Sequence, residues 1–310
     1  MRAHFGLPEP PLDRVALAVG SFDGLHLGHQ AVLQELRTQA ARRDLGRVWI
    51  TFDPHPRCVL DPANCPAQIT TLDERLQLVR ELGVDEAIVV AFNRALAGLP
   101  AEEFMARVLA ALDLRCLVVG YDFALGRART GNVSWLREHG GSHGYAVEVV
   151  APLQLNGETV HSSAVRRLLT LGELEAANGM LGRQFSLSGL VEPGDQIGRQ
   201  MGWPTVNLAV PAGKLVPGRG IYAGWARTPG GDFRAAISVG YRPTFDKTEL
   251  RVEAYLLDFE GDLYQRRVEL RFAAWIREEA KFSDRGRLSR QIARDVTETR
   301  RLTDAHPLVS

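Results

Sequence analysis

Lysine is almost missing from this chain: among 310 residues with 37 Lys and Arg in total, only Lys214, Lys247 and Lys281 are lysines. The cationic surface is therefore written in Arg, whose planar fork suits ion pairs and phosphate oxygens. Net charge is missing as well, because 37 Asp and Glu cancel the 37 cations. No global field draws the chain to nucleic acid or to an anionic membrane, so any phosphate binding has to be local. Cysteine is scarce, with Cys58, Cys65 and Cys116 forming an odd set that contains no CxxC pair. That pattern supplies neither a disulfide framework nor a zinc site, and buried thiols in a reducing compartment are expected. Long apolar runs are absent too. No stretch reaches the roughly 18 uninterrupted apolar residues of a membrane span, and residues 1–11 hold no signal-peptide core. These readings lead to the expectation of a cytoplasmic protein.

What remains is the composition of a globular protein, 45% hydrophobic and 24% charged, which excludes disordered and collagen-like classes. The length suggests two domains. Up to residue 150, short β-branched runs (15–19, 47–52, 86–92, 116–119 and 145–150) alternate with amphipathic helical patterns at 30–43, 71–82, 101–112 and 132–139. Thr71 and Glu74 form a capping-box signature at the head of the second. Alternation of this kind predicts a parallel sheet with its ligand beyond the carboxyl ends of the strands. Helical patterns follow at 162–171 and 173–181, and then the period changes. Six strand-like runs at 185–191, 205–210, 221–227, 233–239, 250–259 and 266–275, separated by turn residues, predict an antiparallel barrel or sandwich, closed by a helix at about 287–301. The predicted architecture is an α/β domain with a Rossmann-like parallel sheet, 1–183, followed by a six-stranded antiparallel β-barrel domain, 184–310, with a C-terminal helix.

The first run enters Gly20-Ser21-Phe22-Asp23-Gly24-Leu25-His26-Leu27-Gly28-His29 and continues directly as helix. Glycines let backbone N–H groups approach a phosphate, and the helix N-terminus adds positive potential. His26 and His29, in HxGH spacing, can both donate to phosphate oxygens as charge develops in a nucleotidyl transfer. Further candidates close other predicted elements: Asp53-Pro54-His55-Pro56 after the second strand, the Gly-punctuated loop from Gly120-Tyr121-Asp122 to Arg127 and Arg129, and Ser162, Ser163 and Arg166 at a helix start. The Ser residues there fit either an N-cap or a clamp on a triphosphate.

Taken together, GxFDGxHxGH, DPHP, GYDFxxG and the Ser/Arg helix start resemble the nucleotidyltransferase module of the prokaryotic bifunctional riboflavin kinase/FAD synthetases. One departure stands out. The family usually has Ser-Ser-Thr before x-x-Arg, and here His161-Ser162-Ser163 precedes Ala164-Val165-Arg166. The resemblance assigns nucleotide and phosphate contacts to Gly20, Phe22, Asp23, Gly24, Gly28, Asp122, Ser162 and Ser163, catalysis to His26, His29 and Arg166, and flavin contacts to Pro54, His55 and Pro56.

In the β-rich half, Gly198-Arg199-Gln200-Met201-Gly202-Trp203-Pro204-Thr205-Val206-Asn207 opens a strand. Thr205 and Asn207 offer hard oxygen ligands on one strand face, suited to Mg²⁺ and a nucleotide phosphate. Glu253 is a lone carboxylate in a strand; a buried carboxylate is costly unless employed, and a general base toward an alcohol is a reasonable employment. These segments, with Ser238-Val239-Gly240-Tyr241-Arg242-Pro243-Thr244-Phe245 and Ile276-Arg277-Glu278-Glu279, are similar to the riboflavin kinase module. By that similarity Thr205 and Asn207 hold Mg²⁺ and ATP phosphate, Gly198 and Gly202 shape the phosphate turn, Glu253 takes the proton of the ribityl 5′-hydroxyl, and Arg277 meets the flavin. Val206, Arg242 and Gln265 depart from the usual residues without removing a catalytic group.

The resemblance implies two sequential reactions: phosphorylation of riboflavin to FMN by ATP in the C-terminal half, then adenylylation of FMN to FAD by a second ATP in the N-terminal half, with Mg²⁺ and with no nucleic-acid or membrane partner. Two other readings remain at this point: an HxGH nucleotidyltransferase for a different phosphate acceptor, and an inactive flavin-binding protein on the same scaffold.

Overall fold

The computed structural model describes residues 1–194, 197–243 and 248–308. Contacts divide the chain into two compact units, Met1–Ser162 and Ser163–Ser310. The division precedes the expected boundary near Arg183, because the helices Ser162–Leu171 and Leu174–Leu181 pack mainly with the second unit.

The first unit is a six-stranded parallel sheet in the order Arg2–Phe5, Glu86–Ala91, Gly46–Asp53, Leu12–Val19, Leu112–Gly120, Ala146–Val150. Both faces are covered, which is why the central strands read as continuous apolar runs. Val15, Leu17 and Val19 point into one core with Phe104, Met105, Val108 and Leu136. Ala16 and Ala18 point into the other with Leu33, Leu36 and Trp49. Thr71 caps the helix Leu72–Glu81 with its reciprocal partner Glu74, as the sequence predicts. The edge strand Arg2–Phe5 was not expected. Four residues with an exposed, charged face carry too little periodicity to signal a strand.

The cysteine expectation is corrected. Cys58 and Cys65 are joined in a disulfide, because the short helix Pro56–Leu60 and the following turn Pro62–Asn64 fold the chain back on itself until their Cα atoms stand 4.2 Å apart. Cys116 is a buried free thiol, as expected, and burial pushes it up to about 11.

The second unit is a closed antiparallel barrel in the order Phe185–Glu192, Thr205–Ala209, Thr248–Leu256, Gly231–Pro243, Gly220–Thr228, Arg267–Arg277. Leu187, Tyr222, Ile237, Ala254 and Phe272 fill its interior. The helix Arg285–Ala305 packs on the strands Gly220–Thr228, Gly231–Pro243 and Arg267–Arg277. The end of the Ser238 to Phe245 motif, Thr244 and Phe245, lies outside the described residues.

Candidate active sites

In the first unit the loop at residues 20–29 leaves the carboxyl end of a central strand and is locked in place before the helix Leu27–Arg43 begins. Asp23 is the pin. It is 2% exposed, and its carboxylate accepts from the backbone N–H groups of Ile69 at 3.1 Å and Thr70 at 3.0 Å. The Thr70 hydroxyl in turn accepts from Gly24 N–H at 2.9 Å. Gly24 has φ +86°, a left-handed turn with Ile69 pressed against the Cα, so a side chain there has neither backbone freedom nor room. Ser162 closes the loop from the far end of the unit, its hydroxyl donating to the Asp23 carbonyl at 2.8 Å.

His26 is the N-cap of the helix and only 5% exposed. Its Nδ1 accepts from His29 N–H at 3.3 Å. A neutral ring bonded in this way carries its proton on Nε2, as a donor. The His29 ring stacks on it, with centroids 3.7 Å apart, and Phe22 supports His29 at 4.9 Å. Gly28 is required by this packing: a Cβ would come within 3.2 Å of the His26 ring and 3.3 Å of the Val160 carbonyl. Gly20 passes under the Phe22 ring in the same close fashion. Two imidazoles are thus fixed at a helix N-terminus, where positive potential is already present. Ser163 and Arg166 continue the Ser162–Leu171 helix and belong to the second unit.

Arg75 is a residue that sequence reasoning missed. It is 1% exposed, and its guanidinium donates to the Ser21 carbonyl at 2.9 Å, the Thr51 hydroxyl at 3.1 Å and the Asp53 carboxylate at 3.4 Å. It therefore ties the carboxyl ends of two neighbouring strands together, directly beneath the His-bearing loop and the Pro54-His55-Pro56 segment. Burial pushes Arg75 down, and the charges of Asp23 and Asp53 pull it back up. The available signal was its place between Leu72 and Val79 on the apolar side of a capped helix. His55 caps the short helix Pro56–Leu60, its Nδ1 accepting from Arg57 N–H at 3.1 Å, and Pro54 is exposed before it. Asp122 is exposed in the loop after Leu112–Gly120, where its carbonyl accepts from Arg129 at 2.7 Å.

In the second unit, Thr205, Asn207 and Glu253 are brought onto one outer face of the barrel. Asn207 is the direct cross-strand partner of Glu253, and Thr205 pairs with Tyr255. The alternate residues Leu208, Val252 and Ala254 point inward. Thr205 Oγ1 donates to Glu253 Oε2 at 3.4 Å, and Arg251 stands 3.8 Å from the same carboxylate. The expectation of a buried carboxylate is corrected here: the Glu253 side chain is 33% exposed, because strand parity turns position 253 outward. The donor set of hydroxyl, amide carbonyl and carboxylate is all hard oxygen, and it fits Mg²⁺.

A cavity of about 470 Å³ adjoins this face, lined by Glu192, Asn207, Lys214, Arg251 and Val252 among others. Lys214, one of the three lysines, was also missed; it sits beside the Phe185 ring at 5.0 Å. Its signal was a Gly-Lys pair in a Pro-rich turn of an otherwise Arg-dominated chain. Gly198 and Gly202 build the turn ahead of Thr205, with Trp203 N–H donating back to the Gly198 carbonyl at 2.9 Å and Gly202 at φ +80°. Arg277 makes a paired hydrogen bond to the buried Asp295 of the C-terminal helix, at 2.9 and 2.7 Å.

Comparison with known proteins agrees with this division. The family model for FAD synthetase matches residues 9–164, and that for riboflavin kinase matches residues 181–303. The bifunctional riboflavin kinase/FMN adenylyltransferase of Listeria monocytogenes is 34% identical over 288 residues, 92% of this chain and 91% of its own length. The Escherichia coli protein of the same name is 34% identical over 300 residues, 95% of each chain. A solved Streptococcus pneumoniae structure, titled a macrolide-efflux protein, superposes with a TM-score of 0.86 at 28% identity, covering 95% of each chain. Among the described residues here, no helix is long and apolar enough to cross a membrane. The two matched modules, in this order along one polypeptide, place the chain in the family of bifunctional riboflavin kinase/FMN adenylyltransferases.

Proposed function

We propose that the family's two reactions are divided between the units by residue as follows. The chain phosphorylates riboflavin to FMN with ATP in the C-terminal unit and adenylylates FMN to FAD with a second ATP in the N-terminal unit, releasing pyrophosphate. In the barrel, Glu253 accepts the proton of the riboflavin 5′-hydroxyl as that oxygen bonds the γ-phosphorus of ATP, the bond from that phosphorus to the β–γ bridging oxygen breaks, and ADP leaves. Its openness on the barrel surface gives the substrate hydroxyl direct access. Lys214 and Arg251, at the adjoining cavity, supply positive charge for the phosphates. Thr205 and Asn207 hold Mg²⁺ beside Glu253; when bound, the ion neutralises phosphate charge.

In the α/β unit the FMN phosphate attacks the α-phosphorus of ATP. This nucleophile is already an anion, so no base is needed, and catalysis comes from positioning and charge stabilisation. His26 Nε2–H, His29 and the N-terminus of Leu27–Arg43 donate to the reacting phosphate oxygens, and Ser162 keeps their loop in place through the Asp23 carbonyl. Pro54, His55 and Pro56 form a flavin-side wall. Arg277, anchored by Asp295, meets the flavin. Both reactions take place in the cytoplasm, where riboflavin and ATP are drawn on together.

The observation that carries this reading is the contrast in site chemistry: a carboxylate with metal-type oxygen donors in one unit, and in the other a stacked imidazole pair at a helix N-terminus without a carboxylate base. The test is chromatography of the purified chain incubated with riboflavin, ATP and Mg²⁺. FMN should appear first and FAD after it; recovery of unchanged riboflavin alone would overturn the reading.

A further inference from the structure

On the sheet face opposite the helix Leu27–Arg43, the helices Ala101–Ala111 and Val133–His143 pack on a separate core. His139 and His143 lie one helical turn apart on the second, so both rings project from the same side. Glu102 reaches them from the first turn of the other helix. One ligand atom from each of the three lies within 4.8 Å of the other two. His139 Nε2 is 3.5 Å from Glu102 Oε1.

Both imidazoles already make other bonds, and their rings stack with centroids 3.9 Å apart. His143 Nδ1 lies 2.8 Å from the His139 backbone carbonyl. A carbonyl only accepts, so Nδ1 is the protonated nitrogen and Nε2 carries the lone pair. His139 Nδ1 bonds the Tyr145 hydroxyl at 2.8 Å, which leaves its Nε2 facing Glu102. Gly140 makes that second bond possible, since a Cβ there would come within 2.6 Å of the Tyr145 carbonyl and 3.0 Å of its ring. Anchoring the remote nitrogen to a carbonyl or hydroxyl so that the near one is presented is the usual arrangement around metal-bound histidine. His139 is buried, while His143 and Glu102 are exposed, so the cluster opens to solvent on one side.

We propose that Glu102, His139 and His143 form a second, non-catalytic metal site for a borderline divalent ion, Zn²⁺ in the first place. Two nitrogens and one carboxylate oxygen suit this ion, and not Mg²⁺, which takes oxygen ligands. Nitrogen ligands on one zinc stand about 3.3 Å apart in tetrahedral geometry. Turning the exposed His143 ring out of its stack on the fixed His139, and swinging the exposed Glu102 toward it, closes that distance, and water completes the shell. The bound ion links the two helices on this face of the sheet.

The test uses the full chain, stripped of metal and titrated with Zn²⁺ against a chromogenic chelator with Mg²⁺ and ATP in excess to occupy the nucleotide sites. The wild type should bind one equivalent, and Co²⁺ in its place should give a visible ligand-field band. His143→Ala and the isosteric Glu102→Gln should each weaken Zn²⁺ binding at least about 10-fold and abolish the Co²⁺ band, and Tyr145→Phe should weaken it by about 10-fold through loss of ring orientation. FMN and FAD formation and circular dichroism should be unchanged in Glu102→Gln, so that lost binding is not unfolding. Absence of a bound equivalent in the wild type, or equal binding in wild type, His143→Ala and Glu102→Gln, overturns the proposal; the latter result places the zinc on other residues such as the His26 and His29 pair.

Discussion

The carboxylates of Asp23 and Glu253 occupy opposite surroundings in two units of one chain. Asp23 is sealed under its loop and accepts two backbone N–H bonds. Glu253 stands a third exposed on a barrel face, with the Thr205 hydroxyl and the Arg251 guanidinium beside it. The first holds still the loop that carries two imidazoles at a helix end; the second stands on an open barrel face beside Thr205 and Asn207. The comparison teaches that a carboxylate ringed by backbone N–H groups serves the scaffold, whereas one turned outward by strand parity stays within reach of a ligand. An adenylyl transfer with an anionic nucleophile needs fixed dipoles, whereas transfer to an alcohol needs a base within reach of a substrate that comes and goes.

The comparison breaks first at Glu253. Glu253→Gln keeps the shape of the barrel face and removes the base, so FMN formation should fall by about 10²–10⁴-fold. FAD formation from supplied FMN should persist, and chromatography of the two reactions run separately reads both. His29→Ala should do the reverse, lowering FAD formation from FMN by about 10²–10³-fold while riboflavin phosphorylation continues. If either variant, folded by circular dichroism, loses both activities, the assignment of one reaction to each unit fails.

Much of this contrast was legible before any coordinates. The alternation of runs and helices up to residue 150 and the turn-separated strands after 185 reported the two cores directly, because hydrophobic period follows which faces are buried. The HxGH loop was legible because glycines and histidines at fixed spacing have few other uses. The apolar Val252 and Ala254 on either side of Glu253 imply by strand parity an outward 253. Arg75 was hidden for a different reason. A cation within an amphipathic helix reads as solvated, and only tertiary structure shows that the ends of two strands supply the acceptors that let it be buried. The Cys58–Cys65 pairing depended on a chain reversal through two short helical turns that carry too few residues for periodicity. His139 and His143 merged into the amphipathic pattern of their helix, and their meeting with Glu102 depends on packing between helices.

Asp23 sharpens the comparison from the scaffolding side. Asp23→Asn leaves one amide donor facing N–H groups that a carboxylate satisfied, and the N-terminal unit should lose about 1–3 kcal/mol of stability. Calorimetry should show the loss confined to one of two unfolding transitions. FAD formation should decline with it while FMN formation holds. A smaller effect of the same sign comes from Asp85, which lies far from either reaction. The Arg47 guanidinium, bonded to it at 2.6 and 2.8 Å, holds its carboxyl below the usual carboxylate range. A carboxyl depressed in the folded state stabilises above its unfolded value, near about pH 4, and that stabilisation is lost as pH falls through the lower, folded value. Because the pair is partly exposed, solvent screening limits it to about 0.5 kcal/mol. Asp85→Asn should therefore lower the melting temperature of the N-terminal unit slightly at pH 7 and by less at pH 3. An equal drop at both pH values would mean that packing, rather than the charge pair, sets the stability of that edge of the sheet.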